Sequence, residues 1–202
     1  MHGSEFDSAN ERSIPLRVIG AHNQINARMA CRVVAAAAGL DHSRSGDLLA
    51  DFPGLPHRLQ FVAEHDGLRF YNDSKSTTTT STRAAIEKLQ GKSIIVFIGG
   101  LSKGVDRAHF IKELKGKVKH VYCFGAEAET LRTYCATNNI PAQDFATLDD
   151  AFEACVNKVT PQDCILFSPA GSSYDLFKDY EERGNYFKKL VRDYNTDTDI
   201  NK

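Results

Sequence analysis

Ser93-Ile94-Ile95-Val96-Phe97-Ile98-Gly99-Gly100-Leu101-Ser102-Lys103-Gly104 is the stretch that decides the fold. From Ile94 to Ile98 every position is apolar, so neither face of this segment is meant for water. A run that short with β-branched residues reads as a strand covered on both sides, the kind found in parallel sheets. Two glycines follow it, permitting positive φ or a close backbone approach. Lys103 then stands just past the end of the strand.

The neighbours repeat the alternation of strand and helix. Arg58–Glu64 and Leu68–Asn72 flank His65-Asp66-Gly67, a hairpin signature. The spacing predicts helices over Thr78–Leu89, Ala108–Leu114, Glu127–Thr137, Leu148–Val159 and Tyr174–Tyr194. Strands are expected at Val118–Phe124, Gln143–Ala146 and Cys164–Phe167. Helices between strands argue for βαβ units, hence an α/β fold with a mainly parallel sheet and flanking helices.

Upstream the texture differs. Ile14–Gly20 reads as a short extended piece. A helix is expected over Asn26–Gly39, with Met29, Ala30, Val33, Val34 and Ala37 on its apolar face, Asn23 as its N-cap and Gly39 just past its end. A second short helix is expected over Ser45–Phe52. Pro53-Gly54-Leu55-Pro56 cannot continue a helix and marks a boundary. Residues 1–13 are polar, Gly3-Ser4-Glu5-Phe6 reads like a cloning scar, and this stretch is expected to be a disordered tag. The polar tail 195–202 is expected to fray.

The chain has 202 residues and a formal net charge of −1, which supports neither a nucleic-acid footprint nor attraction to a membrane surface. No apolar run approaches the roughly 20 residues of a membrane span. The five cysteines include no C-x-x-C pair and sit mostly in apolar surroundings. They read as free core thiols in a reducing cytosol, not as zinc ligands or disulfides.

In such sheets ligands sit at the carboxyl ends of the strands. Three segments there are dense in hydroxyls, small residues or lysine, which suits an anionic ligand. In Asn72-Asp73-Ser74-Lys75-Ser76-Thr77, Asp73 has the place of a ribose-gripping carboxylate and Lys75 that of a phosphate contact. The same residues would equally serve as a solvated turn before a helix cap. Gly99–Gly104 offers Lys103 at the edge, or is a plain glycine-rich turn. The P-loop order G-x-x-x-x-G-K-[ST] is absent. In Ser168-Pro169-Ala170-Gly171-Ser172-Ser173, the two serines would present hydroxyls and N–H groups to a carboxylate at the start of the last helix, or Ser173 would simply cap it. Arg58 is either a surface charge or a phosphate ligand, and no His–Asp pair stands ready to make either serine a nucleophile.

Together these segments resemble the Mur ligases, and among them the members that add D-glutamate. The blocks are His22-Asn23-x-x-Asn26, Gly54-Leu55-Pro56-His57-Arg58, Asn72-Asp73-Ser74-Lys75-x-Thr77, Gly99-Gly100-x-x-Lys103-Gly104-x-Asp106, Ser168-Pro169-Ala170-x-x-Ser173-x-Asp175-x-Phe177 and Glu182-Arg183-Gly184-x-x-Phe187. The resemblance spans about residue 16 to 192. It implies a Rossmann-like amino-acid-binding domain over 57–194, preceded over 14–56 by the helical end of a central ATP-binding domain. It further implies a cytoplasmic, ATP- and Mg2+-dependent ligase that joins D-glutamate to UDP-N-acetylmuramoyl-L-alanine through an acyl phosphate. The P-loop, the Mg2+ ligands and the UDP site would lie in N-terminal and central domains upstream. The chain alone is therefore expected to be inactive and to hold no cofactor tightly.

Carried over by position, the resemblance places Asn23, Asn26 and Arg58 on the nucleotide, Asp73 on its ribose and Lys75 beside the transferring group. Thr77, Lys103, Ser173, Tyr174 and Tyr180 would hold D-glutamate. Thr78, Gly171-Ser172 and Tyr180 depart from the residues usual in the family, where Asn, Cys-Ala and Phe are common. A non-catalytic binding module on the same fold is the competing reading. A sister ligase for folate or another amino acid is a third, disfavoured by the residues at 72–77.

Overall fold

The computed structural model describes residues 14, 16, 21–39, 49 and 51–200. The expected tag at 1–13, the extended piece apart from Ile14 and Leu16, and the second short helix apart from Leu49, Asp51 and Phe52 lie outside these residues. The chain divides into two compact units, Met1–Gly54 and Leu55–Lys202.

In the first unit α1 covers Ala21–Ala38. The helix starts before Asn23, so Asn23 lies in its first turn and is not the N-cap the sequence suggested. The buried stripe also differs from expectation. Ala27, Cys31 and Ala35, four residues apart, are the buried positions, and Ile14, Ala27 and Cys31 cluster with Leu16 and Leu49. Met29, Val33 and Val34 are exposed. The small side chains let Ile14 come close, and the Gln24 amide fixes it by accepting from Ile14 N and donating to Ile14 O.

The second unit is an α/β sheet with helices on both faces. Its strands are β1 (Gln60–His65), β2 (Leu68–Asn72), β3 (Ser93–Gly99), β4 (His120–Phe124), β5 (Ala142–Phe145) and β6 (Asp163–Phe167). Their order is β1-β2-β6-β3-β4-β5. Only the β1–β2 hairpin is antiparallel, with a bulge between Phe61 and Ala63. The other pairings are parallel.

The helices are α2 (Thr79–Lys88), α3 (Ala108–Glu113), α4 (Ala128–Thr137), α5 (Leu148–Val156) and α6 (Tyr180–Ile200). The all-apolar reading of β3 is explained by its two faces. Ile94, Val96 and Ile98 pack with residues of α2, α3 and α4, while Ile95 and Phe97 pack with α5 and α6. Thr78 and Thr147 cap α2 and α5 by accepting from N–H groups three residues on. All five cysteines are free and buried.

The last helix departs most from expectation. It begins at Tyr180, not Tyr174, and continues to Ile200 past the expected fraying point. Asp179 and Glu182 set its start: Glu182 N donates to Asp179 Oδ1 at 2.7 Å, and Glu182 Oε2 accepts from Lys178 N at 2.6 Å. This is a variant of the reciprocal capping box. Phe187 then stacks on Phe167 of β6 at 4.5 Å between ring centroids and seats the helix on the sheet. Among the described residues no helix is long and apolar enough to cross a membrane.

Candidate functional site

The chain leaves β3 toward β4, whereas after β6 it returns to α6, which packs on β1 and β2. The β6–β3 junction is therefore the topological switch point, where open sheets place ligands. Here the two departing loops are stitched together. Leu101 N donates to Ser172 O at 3.0 Å, Ser172 N to Leu101 O at 2.9 Å, and Gly99 N to Pro169 O at 2.9 Å. A Cβ on Gly100 would stand 2.1 Å from Ser172 O, and one on Gly171 2.3 Å from Gly99 O. Glycine is needed at both positions because backbone meets backbone. The seam itself is closed by these backbone bonds.

Two buried arginines hold the loops. Arg183 on α6 is 0% exposed and donates from Nε to Ser74 Oγ, from Nη2 to Ser74 O and from Nη1 to Gly171 O. It thus ties the loop after β2 to the loop after β6. Burial lowers its pKa to about 10, and neighbouring Asp175 works against that fall. Arg107 donates to Gly99 O, Gly100 O and Pro169 O and to Glu127 Oε2, tying the loop after β3 to the loop after β6. Burial lowers its pKa as well, with Glu127 opposing. Neutral carbonyls supply most of the donors' partners in both cases.

At the end of β2 the Asp73 carboxylate faces inward. Oδ1 accepts from Leu59 N at 2.8 Å, and Oδ2 from Ser76 Oγ at 2.6 Å and Ser168 Oγ at 2.7 Å. Burial raises its pKa, and the two serines and Leu59 N limit the rise. These three bonds leave Oδ1 with acceptor capacity for the ribose contact expected from the sequence, on a residue that is itself buried. Arg58 is exposed next to it. Its segment is fastened by Lys75 N donating to His57 O and by the Leu59–Asp73 bond. His57 is buried. Asn72 Oδ1 accepts from Ser74 N, so Asn72 Nδ2 faces and donates to His57 Nδ1 and Gly184 O, both at 3.0 Å. That arrangement puts the proton of a neutral imidazole on Nε2. Burial and then Lys188 hold the His57 pKa below its ordinary value.

The expected cationic groups lie on the rim. Lys75 is exposed, with Nζ 5.2 Å from the centroid of the Tyr180 ring, and the Tyr180 hydroxyl donates to Glu181 Oε1. Lys103 is exposed too, with Nζ 5.8 Å from the Tyr174 centroid. Thus the structure pairs Lys75 with Tyr180 and Lys103 with Tyr174, next to Ser173. Thr77 is half-buried in the turn before α2. Asn23 and Asn26 are on α1 in the other unit.

One expectation needs correction. Ser172 and Ser173 do not open a helix. Ser173 O instead accepts from Leu176 N and Phe177 N in a turn, and no helix N-terminus exists there to receive a carboxylate.

The sequence reading missed Arg107 and Glu127 entirely and gave Arg183 no role. Arg183 had a signal, since it lies in the Glu182-Arg183-Gly184 block. Arg107 and Glu127 had none: the arginine follows a glycine-rich turn, and the glutamate opens the helix expected over Glu127–Thr137.

Residues 57–171 match the family model "Mur ligase, glutamate ligase domain". The chain is similar to UDP-N-acetylmuramoylalanine--D-glutamate ligases. It is 37% identical over 179 residues to that of Shigella boydii serotype 4, covering 88% of this chain and 40% of the relative. It is 39% identical over 188 residues to that of Acidobacterium capsulatum, covering 92% and 40%. The chain therefore spans about 40% of the length of the curated relatives it matches. Among solved structures it resembles MurC from Thermotoga maritima, with a TM-score of 0.68 at 18% identity over 90% of this chain and 40% of that one. It also resembles MurF from Acinetobacter baumannii, with a TM-score of 0.67 at 21% identity over 88% and 38%. These likenesses show a shared fold. With residues 57–171, more than half of its length, matched by that model, the chain belongs to the Mur ligase family.

Proposed function

We propose that this chain is the amino-acid-binding end of an ATP-dependent ligase that joins D-glutamate to UDP-N-acetylmuramoyl-L-alanine in the cytoplasm, a step in making peptidoglycan precursors. The observation that supports it most is Lys103, held out on a turn stitched to the Ser172 loop with its ammonium over Tyr174. D-Glutamate carries two carboxylates, and a lysine with nearby hydroxyl and amide donors is what such a ligand requires. The similar chains are UDP-N-acetylmuramoylalanine--D-glutamate ligases, which supports the same substrate.

In this reading Lys103, Ser173, Tyr174, Thr77 and Tyr180 hold D-glutamate, and Lys75 lies between it and the transferring phosphoryl group. Arg58 contacts the phosphates. Asp73 meets the ribose. Asn23 and Asn26 serve the nucleotide, with residues 14–56 as the end of the central ATP-binding domain. ATP supplies the phosphoryl group that activates the alanyl carboxylate. The chain's own part is to place the attacking amine and neutralise charge around it. For Mg2+ the described residues offer no fit, since no three His, Cys, Asp or Glu side chains converge, and no step is assigned to the ion.

The test is an NMR titration of the 202-residue chain with D-glutamate, with L-glutamate as control. Weak but saturable shifts at Lys103, Ser173 and Tyr174 are expected, because closure by further domains normally tightens such sites. No shift at these residues, or identical shifts with both enantiomers, would overturn the assignment.

A further inference from the structure

Lys103 occupies an unusual backbone position. It has φ 54° and Gly104 has φ 78°, and Val105 N donates to Ser102 O at 3.2 Å. Two central residues with positive φ and that closing bond make a type I′ turn. Glycine, asparagine and aspartate suit such a turn, whereas a lysine there is strained. Strain of this kind persists only where the surroundings over-determine the backbone.

The surroundings are identifiable. Leu101, just before the turn, is bridged to Ser172. Ser102, its first residue, donates its N–H to Glu127 Oε1 at 2.8 Å. The other oxygen of Glu127 accepts from Arg107 Nη1 at 3.1 Å, and Arg107 Nη1 also reaches Gly100 O. Glu127 stands where α4 would be capped, yet its side chain makes no cap bond to that helix. It turns toward the Lys103 turn instead. The Arg107 side chain is 2% exposed and the Glu127 side chain 28%, so the pair is anchored at its buried end. Burial acts to raise the Glu127 pKa, but Ser102 and Arg107 outweigh it and hold the group below the usual carboxylate value.

We propose that Glu127 and Arg107 are positioning residues that set the height and direction of Lys103, and that they govern D-glutamate affinity through that lysine alone. The proposal rests on the assignment of Lys103 to D-glutamate made above. Glu127 touches no part of the ligand. Its action is to pin the first amide of a strained turn, so that the ammonium is already in place over Tyr174 when a carboxylate arrives.

A double-mutant cycle on the full 202-residue chain tests this, with D-glutamate as the titrant and NMR as the readout. Glu127→Ala is expected to raise Kd about tenfold, the scale of coupling inside one hydrogen-bond network. Glu127→Gln keeps an acceptor for Ser102 N–H and should recover part of that loss. In a Lys103→Ala background, Glu127→Ala should change Kd no further. An equal effect of Glu127→Ala with and without Lys103 overturns the proposal, as does an unchanged Kd in the single variant. If the wild-type chain shows no D-glutamate shifts, the underlying substrate assignment fails instead. The positioning claim is then decided by amide exchange: protection of the Ser102 N–H that survives Glu127→Ala overturns it, and loss of that protection upholds it.

Discussion

Arg183 reaches back 109 residues to Ser74, giving Nη2–H to its carbonyl at 2.8 Å and Nε–H to its hydroxyl at 3.1 Å. The planar fork matters because a third bond goes to Gly171 O. An ammonium is a compact point donor and cannot span these acceptors. Arg183→Lys should therefore destabilise the domain by about 2–4 kcal/mol, since it leaves buried carbonyls unpaired. Urea unfolding checks this, with a lower midpoint at unchanged m expected.

Gly184, the next residue, meets His57. A Cβ there would stand 2.2 Å from His57 Nδ1. Inside a helix, Gly→Ala normally adds roughly 1 kcal/mol of stability. Here the clash should reverse the sign, and Gly184→Ala should lose about 1–3 kcal/mol. Thermal unfolding measures it. A raised Tm would mean that the imidazole moves aside without cost.

Asp163 opens β6, at the end of the strands opposite the Leu101–Ser172 seam, and is a stability element. It accepts from Lys119 Nζ, Ser93 Oγ, Thr160 N and Thr160 Oγ1. Burial acts to raise its pKa, but Lys119, Ser93 and Thr160 bring it below the usual value. A carboxylate with a lowered folded pKa stabilises above its unfolded pKa and loses that contribution as pH falls through the folded one. Asp163→Asn should cost about 1–3 kcal/mol near neutrality. The gap from wild type should narrow only below about pH 4. Urea midpoints measured across pH 2–7 would show a gap that is flat with pH if the ion pair contributes nothing.

Lys103→Asn should raise stability while removing ligand affinity. Asparagine tolerates positive φ at the first central position of a type I′ turn, and the relief is about 0.5–1 kcal/mol. Parallel Tm and D-glutamate titrations check both halves. A Tm unchanged or lowered would show that the turn is not strained by its lysine.

How far the sequence reveals all this depends on locality. β3 was readable because burial on both faces leaves no polar position from Ile94 to Ile98. The start of α6 was also written locally, in Asp179-x-x-Glu182. Reading Ser173 as a cap let the less specific signal prevail and put the helix six residues early. On α1 the larger side chains drew attention to the wrong stripe, because Ala27, Cys31 and Ala35 carry little hydrophobic weight individually. The rim lysines were legible through their place after strands. Arg107, by contrast, finds its acceptor at Pro169, 62 residues away, and Arg183 finds Ser74, 109 residues away. No local pattern distinguishes an arginine destined for a cage of carbonyls from one bound for solvent. The inward turn of Asp73 is of the same kind, since Ser168 lies 95 residues away.

The slot that β6 takes has a consequence for biosynthesis. It is the last strand to be made, yet it inserts between β2 and β3. A nascent chain emerging from the ribosome can form the β1–β2 hairpin and the β3–β4–β5 group early, but these remain unjoined until residue 167 is out. The seam at Leu101 and Ser172 closes later still. Completion of the loops at the carboxyl ends of the strands is thus deferred until the domain is almost entirely translated, and a chain halted short of Ser172 would present two half-sheets with open edges.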